Sequence, residues 1–221
     1  MIEVTYIDHM GSDLTVVNSA RVSFGKKSEA LGTSGIVGEP MTPILNDPDK
    51  RLIKYLAKHK HMSPFGHCFA SFHVKAPVFV ARQLVKHKFL RWNEISRRYV
   101  SDNPEFYRPD EWRGRSADKK QGSDGVSHPP MHLSPLMNQV LDLYDQMIHD
   151  GVAPEQARMV LPQSMMTEWY WSGTLYAFAK MCGLRLKEDT QAETRIVAEK
   201  IEDVMAKLYP VSWEALRMYE E

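Results

Sequence analysis

Lys86-His87-Lys88 places an imidazole between two ammonium groups, a triplet suited to a multiply charged anion. The same fourteen-residue stretch, 86–99, adds Asn93, Glu94 and Ser96 as donors and acceptors. Arg97-Arg98-Tyr99 closes it with two fixed charges and a phenol. Arginine forks meet phosphate oxygens two at a time, whereas lysines act as point charges. A plain phosphate clamp would carry no carboxylate, so Glu94 points to a neutral donor on the same ligand: a nucleobase, a ribose hydroxyl or a flavin ring. The stretch reads as a nucleotide site that also orients a base. Two plainer readings compete with it. One is a solvated charged face; the other is a nucleic-acid patch in which Phe89, Trp92 and Tyr99 stack between cations. Against both, 28 basic residues balance 28 acidic ones, so no global field favours a polyanion. The cations are also flanked by apolar residues that would anchor them to a core.

Holding such a site takes a sizeable core, and 221 residues suffice for one domain, 1–221. The start, Met1-Ile2-Glu3-Val4-Thr5-Tyr6-Ile7-Asp8, has acids where a signal peptide needs basic residues and an apolar run. No apolar stretch is long enough to span a bilayer, so no membrane partner is expected. Cys68 and Cys182 are isolated among apolar residues, which predicts neither disulfides nor zinc and points to a reducing, cytoplasmic setting. His59, His61, His67 and His73 match no zinc spacing, so no metal is predicted.

The elements follow in order. Residues 2–7 read as a strand, 14–24 as a helix and 25–46 as a loop. Asp47-Pro48 opens a helix to about Lys60, with Leu52, Ile53 and Leu56 inward. Residues 68–75 alternate as a strand. Pro77 starts a helix to about Lys88, which places Gln83, Lys86 and His87 on one face. Residues 110–132 read as an irregular insertion. Ser134-Pro135 opens a helix to Gly151 with Leu136, Val140, Leu141, Tyr144 and Met147-Ile148 as its stripe. Pro154 begins a short helix carrying Arg158. Residues 165–171 are strand-like, although their aromatic run fits a buried helix equally well, and Thr174 caps a helix ending at Gly183. Thr190-Gln191-Ala192-Glu193 has capping-box spacing before a long helix that Pro210 ends, and Ser212 starts a final turn. Arg158 and Arg185 sit in apolar runs, either as snorkelling surface cations or as half-buried guanidinium groups facing a ligand.

Together these segments resemble the flavin-dependent thymidylate synthases, whose signature is Arg-His-Arg, seven residues, then Ser. Lys86-His87-Lys88, seven residues and Ser96 keep that register, followed by Arg98-Tyr99. Around them match His61-x-Ser63-Pro64-Phe65-x-His67, Pro77 to Gln83, and Asn93-Glu94. Further on come Ala157 to Pro162, Ser172-Gly173-Thr174, Leu184-Arg185 and Gln191-x-Glu193. The resemblance implies an α+β fold, a twisted and mainly antiparallel sheet flanked by helices. It implies a homotetramer with active sites between subunits and no nucleic-acid partner. The implied reaction converts dUMP to dTMP, with methylenetetrahydrofolate giving the carbon and NADPH the electrons through FAD.

By position, Gln83, Lys86, Glu94, Ser96, Arg97, Arg98 and Arg158 are implied to hold dUMP, with Arg185 beside the uracil as the catalytic group. Ser23, Ser63, Lys86, His87, Lys88, Glu94, Thr174, Tyr176 and Lys180 are implied to contact FAD, and His61 the folate. The chain departs from the family pattern at both signature arginines, now lysines. It departs also at Gly66 for glutamate, Tyr176 for arginine, Asp189 for histidine and Lys180 for Asn or His. Most of these departures fall on the flavin side. An alternative is a relative that modifies pyrimidine C5 differently, for example by hydroxymethylation.

Overall fold

The computed structural model describes residues 1–35, 41–100, 103–117, 122–128 and 133–219. Its strands are β1 (Glu3–Met10), β2 (Gly32–Ser34), β3 (Thr42–Ile44), β4 (Phe69–Pro77), β5 (Leu90–Glu94), β6 (Trp112–Arg115), β7 (Ser123–Ser127) and β8 (Met166–Thr174). The helices are α1 (Asp13–Arg21), α2 (Asp47–Lys58), α3 (Val78–Leu84), α4 (Leu133–His149), α5 (Pro154–Ala157), α6 (Leu175–Arg185), α7 (Ala192–Leu208) and α8 (Pro210–Met218). The main sheet runs β1-β4-β8-β5, every pair antiparallel. An α+β architecture with helices against an antiparallel sheet is therefore present as the resemblance implies.

Alternation explains which face of that sheet is covered. Ala70, Phe72, Val74 and Ala76 of β4 are buried, and Trp169 and Trp171 of β8 face the same way. Phe178 of α6 packs edge-on against Phe72 at 5.1 Å and Trp171 at 5.6 Å. Trp92 of β5 stacks on Trp169 at 4.3 Å. Aromatic pairs of this kind add about 0.5–1.5 kcal/mol beyond area burial. Gly173 permits the close approach of β5: a Cβ there would meet Leu90 Cδ2 at 2.3 Å and Phe89 O at 2.8 Å.

Several elements differ from the sequence reading, each for a physical reason. α3 ends at Leu84 instead of about Lys88, because Phe89 takes φ 64° and turns the chain into β5. Lys86 and His87 therefore do not share a helical face with Gln83. The segment expected as pure loop, 25–46, carries the β2–β3 hairpin, with residues 36–40 outside the described set. The insertion 110–132 likewise contains the β6–β7 hairpin, which Arg113 anchors by donating to buried Glu193 at 2.6 and 2.7 Å. The capping box at Thr190 does not form. Thr190 donates to Leu184 O at 3.1 Å, and Gln191 stands at the N-cap with no side-chain cap bond. In α4, Leu136 is exposed and Met137 is buried in its place. The final turn is a nine-residue helix, α8, whose Val211 and Ser212 amides each donate to the buried Asp13 carboxylate at 2.9 Å. That cap comes from α1, nearly the whole chain away, so local sequence could not show it.

Candidate active site

One cavity, about 310 Å³, opens where β5, the turn after it, α3, the segment following α5 and the start of β8 meet. Arg82, Arg97 and Arg158 line it together with Glu94 and Thr167. Three guanidinium groups from three separate segments suit a phosphate, and one carboxylate among them suits a hydroxyl or ring N–H. Glu94 is held in place from two sides: Thr167 Oγ1 donates to Oε1 at 2.7 Å and Trp92 Nε1 to Oε2 at 3.0 Å. Beside it the turn 95–99 is closed by Arg98, whose N and Nε both donate to Ser96 Oγ at 3.3 Å. Its guanidinium lies 5.1 Å over the Tyr99 ring.

A second cavity, about 680 Å³, lies between the 87–89 turn, α6 and α8. His87, Lys88, Tyr176, Lys180 and Lys187 line it, with Phe89 and Met218 as apolar walls. Arg217 also faces it while pairing with Glu202 at 3.2 Å. Lysines with an aromatic wall, and no carboxylate among the described lining residues, fit an anionic dinucleotide with a flat ring, which is the chemistry of a flavin nucleotide. Tyr176 and Lys180, two departures from the family pattern, both face this space.

Arg185 connects the two regions. It is the last residue of α6, and its side chain reaches back to the end of α3. Nη2 donates to Gln83 O at 2.9 Å and Nε to His87 Nε2 at 3.0 Å. Partial burial draws the Arg185 pKa down from the usual guanidinium range. Burial, with the Arg185 charge second, lowers the His87 pKa to about 4. The imidazole is therefore neutral at physiological pH, as an Nε2 acceptor must be. The Gln83 side chain donates to Gln191, tying the start of α7 to the same cluster.

The structure thus gathers Glu94, Arg97 and Arg158 in one cavity, and His87, Lys88, Tyr176 and Lys180 in the other. It puts Gln83 and Arg185 in contact. Ser23, Ser63, His61 and Lys86 are exposed and line neither cavity. His61 instead lies 6.0 Å from the Tyr55 ring and 6.5 Å from His59. Thr174 is the α6 N-cap, its Oγ1 accepting from Ala177 N at 3.2 Å. Sequence reasoning missed Arg82, Thr167, Lys187 and Arg217. Arg82 precedes Gln83 and lies one helical turn before Lys86, a spacing that could have flagged it. Nothing local marks Arg217. Both cysteines are fully buried. Burial, with Asp13 beside it, pushes the Cys68 thiol up to about 12, and burial also raises Cys182 well above the ordinary thiol range, so neither supplies a thiolate. Among the described residues, no group of three or more His, Cys, Asp or Glu could hold a metal ion, and no helix is long and apolar enough to cross a membrane.

Residues 5–211 match the family described as thymidylate synthase complementing protein. The chain is 36% identical over 215 residues to the flavin-dependent thymidylate synthase of Thermus thermophilus, covering 96% of this chain and 74% of that protein. With the enzyme of the same description from Wolbachia pipientis wMel it shares 35% over 224 residues, covering 98% and 74%. Among solved structures, the UMP/dUMP methylase PolB from Streptomyces cacaoi, bound with 5-Br dUMP, is similar with a TM-score of 0.81 at 31% identity. That match covers 99% of this chain and 96% of the other.

Proposed function

Because the chain belongs to the flavin-dependent thymidylate synthases, we propose that it methylates C5 of dUMP to give dTMP, with methylenetetrahydrofolate as carbon donor and NADPH as reductant. The observation that carries this reading is the Arg185 guanidinium, which bonds both to His87 of the lysine-lined cavity and to Gln83, the neighbour of Arg82 in the arginine-lined one.

In this reading the dUMP phosphate sits among Arg82, Arg97, Arg98 and Arg158, with Ser96 Oγ beside it. Glu94, pinned by Thr167 and Trp92, accepts from a ribose hydroxyl. Gln83 and Arg185 address the uracil. A guanidinium against a ring carbonyl stabilises the anionic form of the pyrimidine, and so raises the nucleophilicity of C5 without a covalent bond to the protein. The raised thiol pKa values fit that route, because a cysteine attack on C6 would need a thiolate. Two free cysteines also suit a reducing cytoplasm. His87, Lys88, Tyr176 and Lys180 would hold FAD, which when bound supplies the hydride that reduces the transferred carbon to a methyl group.

Ser23, Ser63, His61 and Lys86 line neither cavity, and Phe24 and Phe89 are 78% and 74% exposed. Both facts favour a homotetramer in which a second copy brings the folate-side and remaining flavin-side residues to the site. A second reading of the substrate is favoured by the similar structure described as a UMP/dUMP methylase: UMP in place of, or beside, dUMP.

The test is the visible spectrum of the purified protein, followed by tritium release from C5-labelled dUMP and UMP in the presence of folate donor, NADPH and FAD. Flavin bands and folate-dependent release are the expected result. A colourless protein that releases no tritium after FAD is added would refute the proposal.

A further inference from the structure

We propose that His87 is a positioning residue for Arg185, a neutral acceptor that aims the guanidinium at the nucleotide without cancelling its charge. The inference rests on the reading above, in which Arg185 faces the uracil.

The guanidinium carries five N–H groups in one plane. Nε and Nη2, which share one edge, are the two atoms bonded to His87 Nε2 and Gln83 O. Two bonds along that edge fix both the plane and its direction, leaving three N–H groups on the outward side for a ligand. A single bond would leave the plane free to swing. The choice of acceptor matters as much as its place. A carboxylate at position 87 would hold the same edge but form an ion pair, which would offset the positive charge needed against an anionic pyrimidine. A neutral imidazole and a backbone carbonyl hold the group and leave its charge intact.

The surroundings keep the imidazole in that state. Facing it are Arg185, Lys180 and Tyr176 from α6, Lys187 beyond it and Arg217 from α8, with Lys86 and Lys88 on its own segment. Among the described residues, no carboxylate lines that cavity. Burial, and after it the Arg185 charge, disfavours a proton on His87, so Nε2 remains bare.

A double-mutant cycle with an independent spectroscopic arm tests this. In the flavin-loaded enzyme, His87→Leu is expected to lower kcat about 10- to 100-fold, the loss of one hydrogen bond to a charged group. The dUMP affinity should stay within about threefold, since the phosphate cavity remains, and the rate is read at saturating FAD because His87 also lines the flavin-side cavity. His87→Gln, which restores an acceptor, is expected to recover most of the rate, and His87→Glu to recover little. In an Arg185→Ala background, His87→Leu should cost less than about twofold. An equal loss in both backgrounds, or a rate fully restored by added FAD, would overturn the proposal. The second arm needs no turnover. Imidazole nitrogen resonances of histidine-labelled protein, with His87→Gln as the assignment control, should show the Nδ1–H tautomer at His87. An Nε2–H tautomer would overturn the positioning role. A wild type inactive on dUMP but showing the Nδ1–H tautomer would instead count against the substrate reading alone.

Discussion

Replacing Arg185 by alanine separates chemistry from binding more cleanly than any other change at this site. The side chain is half-buried and makes two bonds to its own protein. Losing them leaves Gln83 O and His87 Nε2 without that donor, at a cost of about 1–2 kcal/mol to stability. Domains of this kind hold a margin of about 5–15 kcal/mol, so the variant folds. Turnover is another matter. Removing a donor aimed at developing charge lowers kcat about 10²- to 10³-fold. The arginines of the smaller cavity and the lysines of the larger remain, so the dUMP affinity falls less than about tenfold and flavin stays bound. Arg185→Lys keeps the charge but loses the fork, and so recovers only part of the rate. The assay is tritium release under saturating folate and NADPH, with flavin content from absorbance and dUMP affinity from calorimetry. A kcat within about threefold of the parent would refute the catalytic assignment. So would a loss fully explained by missing flavin.

Other consequences can be checked in parallel. Arg158→Ala is expected to weaken dUMP binding about tenfold or more while leaving the phosphate-free nucleoside nearly unaffected; an equal loss for both ligands in calorimetry would remove Arg158 from the phosphate site. The double variant Cys68→Ala with Cys182→Ala is expected to keep kcat within about threefold despite a lower melting temperature, because neither thiol ionises near neutral pH. Abolished turnover in a folded double variant would restore a nucleophilic role. The lowered His87 pKa, about 4 against an ordinary 6.5, has a consequence for stability. The unfolded chain binds this proton first, so the contribution is present above pH 6.5 and is lost as pH falls toward 4. Partial exposure of the ring reduces its full value to about 1–2 kcal/mol. Melting curves of His87→Gln should flatten over that window; an unchanged pH slope would contradict the assignment. Asp13→Ala removes two bonds from a buried carboxylate to the start of α8, and is expected to cost about 3–5 kcal/mol by thermal melting. A cost under about 1 kcal/mol would show that α8 needs no such cap.

Much of this architecture could be read along the chain because local signals agreed with burial. Alternation marked β4, proline and glycine punctuated the helices, and ionic residues at 94, 97 and 158 do share one cavity. What could not be read depended on contacts between distant segments. β5 exists because Trp92 completes an aromatic stack with Trp169 and Trp171, an arrangement hidden inside a run whose aromatics read as platforms for bases and not as strand residues. α3 stops short because the chain must turn into that strand, which moves Lys86 out to solvent and swings His87 back to Arg185. Gln191 looked like part of a capping box, yet its side chain receives the Gln83 amide, a pairing set by how α3 meets α7. Thr174 illustrates the converse: its helix-capping role was legible from spacing, and its Oγ1 accepts from Ala177 N as that role requires.

The measurement closest to the central claim is the mass of the nucleotide recovered after dUMP is incubated with the flavin-loaded protein, methylenetetrahydrofolate and NADPH. Methylation at C5 predicts a product heavier by one CH2, formed only when all three small molecules are present and absent with Arg185→Ala. Unchanged dUMP under those conditions, or a product heavier by a hydroxymethyl substituent, would contradict the account.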